Sequence, residues 1–141
     1  PKTPVHIRAD FRRVERIMRN LISNALDHSE GKPIEITCVE TLTEVAVSVR
    51  DHGEGMEGTS LTRVFDRFWR ADPSRARTRG GTGLGLSIAL EDARLHNGEL
   101  DAWGAPGEGA NFVLTLPRIA GNEISGRPLP VNPHKRIEVQ S

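Results

Sequence analysis

A chain of 141 residues carries nineteen basic and nineteen acidic side chains, and it is 36% apolar and 27% charged. That suffices for one domain with a real core, and the charge balance argues against broad nonspecific binding of nucleic acid. Its one cysteine, Cys38, excludes an internal disulfide or a cysteine-rich metal site. No apolar run reaches the roughly 18 residues that would span a membrane, and no secretory signal stands at the start. The chain opens on Pro1 without a methionine, which fits a piece of something longer.

In chain order, alternation of Val5, Ile7 and Ala9 predicts a short opening strand. Asp10 is a plausible N-cap, and Val14, Ile17, Met18, Leu21, Ile22, Ala25 and Leu26 then recur at helical spacing. Asn20, Asn24 and either Asp27 or His28 form a separate polar stripe. The helix is expected to end before Gly31 and Pro33. Ile34, Ile36 and Cys38 alternate, as do Val45, Val47 and Val49, so residues 41–44 would join two strands as a hairpin. Residues 61–69 predict a short helix, and the arginine-rich stretch 71–81 reads as a loop. Leu84, Ile88 and Leu95 line one face of a further helix, Leu86, Leu90 and Ala93 extend it, and Asn97-Gly98 ends it. Residues 99–103 and 111–116 read as two strands around a glycine-rich turn. After Pro117, repeated glycine and proline predict a tail that is poorly ordered or draped, giving a domain over 1–117 and a tail over 118–141.

Three sites in this pattern suggest nucleotide chemistry. Gly81-Thr82-Gly83-Leu84-Gly85-Leu86 runs into a helix start, where glycines permit close backbone approach and free N–H groups can hold phosphate oxygens. It is neither a P-loop nor a Rossmann loop, because no Gly-Lys-Ser/Thr follows and no strand leads into it. Asp51 ends a strand before His52-Gly53-Glu54-Gly55. Its carboxylate can accept from the exocyclic amine of adenine, where guanine offers a carbonyl. Asn20 and Asn24 lie one helical turn apart and face one side.

Taken in order, these residues resemble the ATP-binding catalytic domain of sensor histidine kinases, whose fold is shared with type II topoisomerases, Hsp90 chaperones and MutL repair proteins. Asn20-Leu21-Ile22-Ser23-Asn24-Ala25 looks like the N box and Asp51-His52-Gly53-Glu54-Gly55-Met56 like the first glycine box. Phe65-Asp66-Arg67-Phe68 looks like the F box, and residues 81–86 like the second glycine box. Gly107, Gly109, Ala110 and Phe112 match the usual ending. The resemblance covers about residues 5–117 and implies an α+β two-layer sandwich, a mixed sheet with helices on one face. Periodicity alone gives only a two-layer α+β domain.

The resemblance also implies roles. Asn24 would give its amide oxygen to the Mg²⁺ that bridges the ATP phosphates, as suits a hard cation that keeps waters. Asn20 stands where the ATPase branches usually carry a general-base glutamate, and an amide cannot activate water in that way. Glu15, about a turn and a half earlier, is not taken as the base. Arg67 would approach the phosphates, with Arg70, Arg75, Arg77 and Arg79 near the lid. His28 closes the N box and would touch a phosphate or cap the helix, whereas Asp27 departs from the frequent basic residue. Phe65 and Phe68 read as lid anchors, and Met18 and Trp103 as core or near-core. The nucleotide-binding set is then Asn20, Asn24, His28, Asp51, Gly53, Gly55, Met56, Phe65, Arg67, Gly81, Thr82, Gly83, Leu84, Gly85 and Leu86. Asn20, Asn24 and Arg67 are the catalytic candidates.

The implied function is binding of Mg-ATP and donation of its γ-phosphate to a histidine on a separate dimerisation and phosphoacceptor domain, with a response-regulator receiver domain downstream. None of the five histidines, at 6, 28, 52, 96 and 134, has the His-Glu/Asp…Pro setting of an acceptor. The chain would thus bind nucleotide without phosphorylating itself. The expected setting is the cytoplasmic part of a membrane-anchored bacterial kinase, with no nucleic-acid partner and no membrane contact of its own. Alternatives are a serine kinase or anti-sigma factor of the same fold, and a nucleotide-gated ATPase or clamp.

Overall fold

The computed structural model describes residues 11–55, 65, 85–119, 122–124 and 126–134. Helix α1, Phe11–His28, follows the predicted apolar spacing and buries Ile17, Leu21 and Ala25 completely. Leu26 departs from that set and stays half-exposed, because it lies about 100° around the helix from Ala25. After Ser29, Glu30 and Gly31 take left-handed conformations and turn the chain out of the helix.

Strand β1, Glu35–Glu40, and strand β2, Glu44–Asp51, form the expected hairpin. Its turn is closed by the Thr41 N–H donating to the Glu44 carbonyl at 2.8 Å and the Glu44 N–H donating to Thr41 Oγ1 at 3.0 Å. Helix α2, Gly85–Leu95, ends on Asn97 at φ 58°, with the Gly98 N–H reaching back to the Ala93 carbonyl. This is a Schellman-type stop built on asparagine. Strands β3, Glu99–Ala105, and β4, Gly109–Pro117, complete a sheet of order β1-β2-β4-β3. The three pairings among the described residues are antiparallel. The opening strand expected at residues 5–9, the N-cap Asp10 and the helix expected at 61–69 (save Phe65) lie outside the described residues, as does the loop 71–81.

Both helices pack on one sheet face. Ile17, Leu21, Ala25, Ala89 and Ala93 meet Val49, Leu100, Phe112, Leu114 and Leu116 there. On α2 the buried positions are Ala89, Asp92 and Ala93, whereas Leu95, expected on the apolar face, is mostly exposed. Two alanines let α2 approach α1 closely, with Leu86 and Leu90 packed partly buried beside them. The opposite sheet face is not open to water. Described residues of the tail drape across it and bury Leu129 against Ala46 and Val113, with Val39 and Val131 beside them. The Asn111 side chain donates to the Val131 carbonyl at 2.9 Å, and Arg127 pairs with Asp101 at 2.8 Å. Trp103 lies on this face, with Arg50 stacked over it and His134 edge-on.

Candidate nucleotide site

The polar stripe of α1 runs between two glycine positions. At one end, the Asn20 amide oxygen faces Gly85, where an added Cβ would come within 3.5 Å of it. Gly85 opens α2, whose first turn holds no acidic residue, and the positive end of a helix dipole favours an anion. At the other end, the His28 main-chain carbonyl presses on Gly53, and a Cβ there would lie 1.6 Å from that oxygen. Only glycine allows this contact. Asn20 and His28 are separated by about 12 Å of helix rise, with Asn24 halfway between them. No hydrogen bond among the described residues engages the Asn20 or Asn24 side chain.

Asp51 ends β2 opposite Ala110 of β4 and is 1% exposed. Its Oδ1 accepts the Gly53 N–H at 3.0 Å. Burial pushes its carboxyl above the ordinary range, against the backbone N–H bonds of Gly53 and Ala110 and the nearby His28 and His52 rings. A buried acidic group held by backbone donors is a preset acceptor for a donor arriving from outside.

The loop after Asp51 is supported from below. Gly55, at φ 77°, lies where a Cβ would strike the Ala105 carbonyl, and the Gly107 N–H donates to the Glu54 carbonyl at 2.8 Å. The β3–β4 hairpin therefore holds the first glycine box in place. His28 Nδ1 is 3.5 Å from a Glu54 carboxylate oxygen, which places the ring at the Asp51 end of the helix and away from Gly85. Phe65 sets its ring edge-on to Phe112 at 6.2 Å, and Leu86 packs on the same core. Met56, Arg67, Gly81, Thr82, Gly83 and Leu84 lie outside the described residues, as do Arg70, Arg75, Arg77 and Arg79. Asn20, Asn24, His28, Asp51, Gly53, Gly55 and Gly85 are thus strung along the C-terminal half of α1, the loop that meets its end and the start of α2 that meets its middle.

No cluster of three or more His, Cys, Asp or Glu able to hold a metal exists among the described residues. Asn24 itself offers one neutral carboxamide oxygen. That fits a hard cation arriving with its own phosphate and water ligands, and does not fit a protein-built metal cage.

Sequence reasoning missed two pairings here, the His28–Glu54 contact and a clasp in which Asp92 of α2 binds Arg16 and Arg13 of α1. A signal for the clasp was present: Asp92 interrupts the buried arc of Ala89 and Ala93, and arginines stand three residues apart on the other helix.

Residues 9–120 match the family model described as histidine kinase-, DNA gyrase B-, and HSP90-like ATPase. The chain belongs to this family. Among its relatives is the sensor histidine kinase MtrB of Mycobacterium tuberculosis, 56% identical over 133 residues, which are 94% of this chain and 24% of that protein. The histidine-protein kinase AfsQ2 of Streptomyces coelicolor is 48% identical over 114 residues, 81% of this chain and 21% of the relative. The chain therefore spans about a quarter of the length of these kinases.

Among solved structures, full-length ShkA in complex with AMPPNP matches with a TM-score of 0.71 at 28% identity, covering 89% of this chain and 26% of that one. The nucleotide-free catalytic domain of the histidine kinase ThkA matches with a TM-score of 0.68, also at 28% identity, over 80% of this chain and 72% of that domain. The two-layer arrangement seen here is thus the fold of histidine-kinase ATPase domains.

Proposed function

We propose that this histidine-kinase ATPase domain binds Mg-ATP along α1 and donates the γ-phosphate to a histidine on a separate dimerisation and phosphoacceptor domain. The observation that carries the reading is the placement of one helix stripe between a buried carboxylate with backbone donors and the glycine start of α2. Asp51 would receive the adenine amine, Gly53 and Gly55 would admit the base, and the start of α2 would receive the phosphates. Support comes from ShkA, a structural neighbour solved with the nucleotide analogue AMPPNP. Asn24 would offer its amide oxygen to Mg²⁺. When bound, that ion supplies charge neutralisation on the phosphates.

The chain's own residues then work by positioning. Asn20 fills the helix turn before Asn24 with an amide, so no carboxylate at that place prepares water for attack, and transfer is favoured over hydrolysis. The bond from phosphorus to its bridging oxygen breaks, a bond to an imidazole nitrogen forms, and ADP leaves. Four of the five histidines are described, and each is engaged elsewhere: His28 with Glu54, His52 with Glu35, His96 with the Asp92 carbonyl and His134 with Glu108. The acceptor belongs to another domain, a response-regulator receiver follows, and the setting is the cytoplasmic part of a membrane-anchored sensor. No helix of the described residues is long and apolar enough to cross a membrane.

Titration with Mg-ATP and Mg-GTP tests this reading, repeated on Asn24→Ala and Asp51→Ala. Adenine preference is expected, with Asp51→Ala losing base discrimination and Asn24→Ala losing magnesium dependence. Addition of a phosphoacceptor domain in trans is expected to yield acid-labile, base-stable phosphate. Acid-stable phosphoserine, or rapid phosphate release without an acceptor, would overturn the assignment.

A further inference from the structure

Asp92 belongs to no part of the site described above, yet it is the most buried charge between the two helices. Its side chain is 1% exposed. Arg16 reaches it with both ends of its guanidinium fork, Nε to Oδ2 and Nη2 to Oδ1, each at 2.7 Å. Arg13 adds Nη1 to Oδ1 at 3.3 Å. The Asp92 main-chain carbonyl also meets His96 Nδ1 at 2.9 Å. Around this clasp the interface is apolar: Ala89 and Ala93 of α2 share one core cluster with Ile17 and Leu21 of α1.

Apolar packing is non-directional and by itself defines rotation and sliding only through shape. A bidentate fork is directional and fixes both. A buried carboxylate costs desolvation that an apolar side chain would avoid, so its best-attested use is to specify one arrangement. Arg16 lies one turn before Asn20, on the same stripe as Asn20 and Asn24. Asp92 lies about two turns after Gly85 on α2. The clasp therefore sets how the Asn20–Asn24 stripe meets the opening of α2.

We propose that Asp92, through Arg16, is a positioning residue for the phosphate end of the nucleotide site. It touches no substrate. It holds α1 at the rotation and height that bring Asn20 to Gly85, and with Asn20 comes Asn24. The inference deepens the Mg-ATP reading and rests on it for its consequence, whereas the placement of Asn20 against Gly85 can be read without any ligand.

The experiment uses the whole chain and two variants. Arg16→Lys keeps the charge but loses the planar fork, and Asp92→Leu fills the interface while Arg13 and Arg16, both about half-exposed, turn to water. Each is assayed by thermal unfolding, by titration with Mg-ATP and with ATP plus a chelator, and by the amide signals of Asn20 and Gly85 in a heteronuclear spectrum. The expected result for variants that still unfold cooperatively is about tenfold weaker Mg-ATP binding, a smaller difference between magnesium-loaded and chelated nucleotide, and displaced Asn20 and Gly85 signals. Folded variants with parental Mg-ATP affinity, parental magnesium dependence and unmoved signals would overturn it. If Asp92→Leu does not fold, Arg16→Lys decides alone. If the parent chain binds no Mg-ATP, the proposed function fails, and the Asn20 and Gly85 signals still decide whether the clasp sets the helices.

Discussion

At the scale of single residues, two buried aspartates have opposite electrostatics. Burial raises the Asp51 carboxyl above its ordinary range, so between the ordinary carboxylate pKa and the raised one the folded domain holds a proton that the unfolded chain has released. Stability then falls as pH rises from the ordinary carboxylate pKa to the raised one, and is level above it. A donor that prefers the ionised carboxylate reverses the balance. Mg-ATP affinity should therefore climb with pH through that window, while Mg-GTP, without the amine, should show a smaller climb; parallel titrations that start at the ordinary carboxylate pKa and rise until affinity levels check this.

Asp92 behaves the other way. Hydrogen bonds from Arg16, with its charge and that of Arg13, hold its carboxyl below the ordinary range despite desolvation. That stabilisation is complete above the unfolded carboxylate pKa and is lost as pH falls through the lower, folded value. Asp92→Asn should cost about 1–3 kcal/mol at neutral pH and lose its deficit relative to the parent in acid, as followed by denaturant unfolding at two pH values. Glu15, passed over as a general base, pairs with Arg19 on the exposed side of α1, which gives it a local partner instead.

At the scale of elements, the site depends on where helix ends meet loops. The contact of Gly53 with the His28 carbonyl is backbone on backbone, so no side-chain rotation can relieve an added methyl. Gly53→Ala should destabilise the domain by about 1–3 kcal/mol and weaken nucleotide binding together with it, measurable as a lower thermal midpoint and a raised Kd. Within the core the ordering should differ: Leu21→Ala, at a side chain fully buried between α1, α2 and the sheet, should cost about 2–5 kcal/mol in chemical denaturation. The elements themselves were legible. Helical spacing gave α1, which buries one face, and alternation gave β1 and β2, although β2 proves buried on both faces and β1 stays largely exposed, with Ile36 open to solvent. On α2, Leu86, Leu90 and Ala93 were read correctly as part of the apolar arc, whereas Leu95 proved exposed and Ala89 was missed, because alanine carries little hydropathy signal yet marks where two backbones approach.

At the scale of the whole molecule, the tail turns a two-layer domain into a covered one. Leu129 is buried on the far side of the sheet from α1, and full burial of a leucine is worth about 1.5–3 kcal/mol. A chain ending at Pro117 should therefore unfold at lower denaturant while keeping Mg-ATP affinity, since the strap and the nucleotide site lie on opposite faces. Loss of affinity in proportion to stability would show that the two faces are coupled.

The sequence by itself determined the order of the described helices and strands, the family resemblance and the identity of Asn20, Asn24, Asp51 and Gly85 as candidates. Those features are written in local spacing and in residue chemistry, and spacing survives without knowledge of what packs where. Only the tertiary structure decided that Asn20 faces Gly85, that His28 stands at the Asp51 end beside Glu54, that Asp92 clasps Arg16, and that the tail covers the second sheet face. Each of these joins residues far apart in the chain. Charge and small size do not announce their partners until the helices and sheet have been brought together.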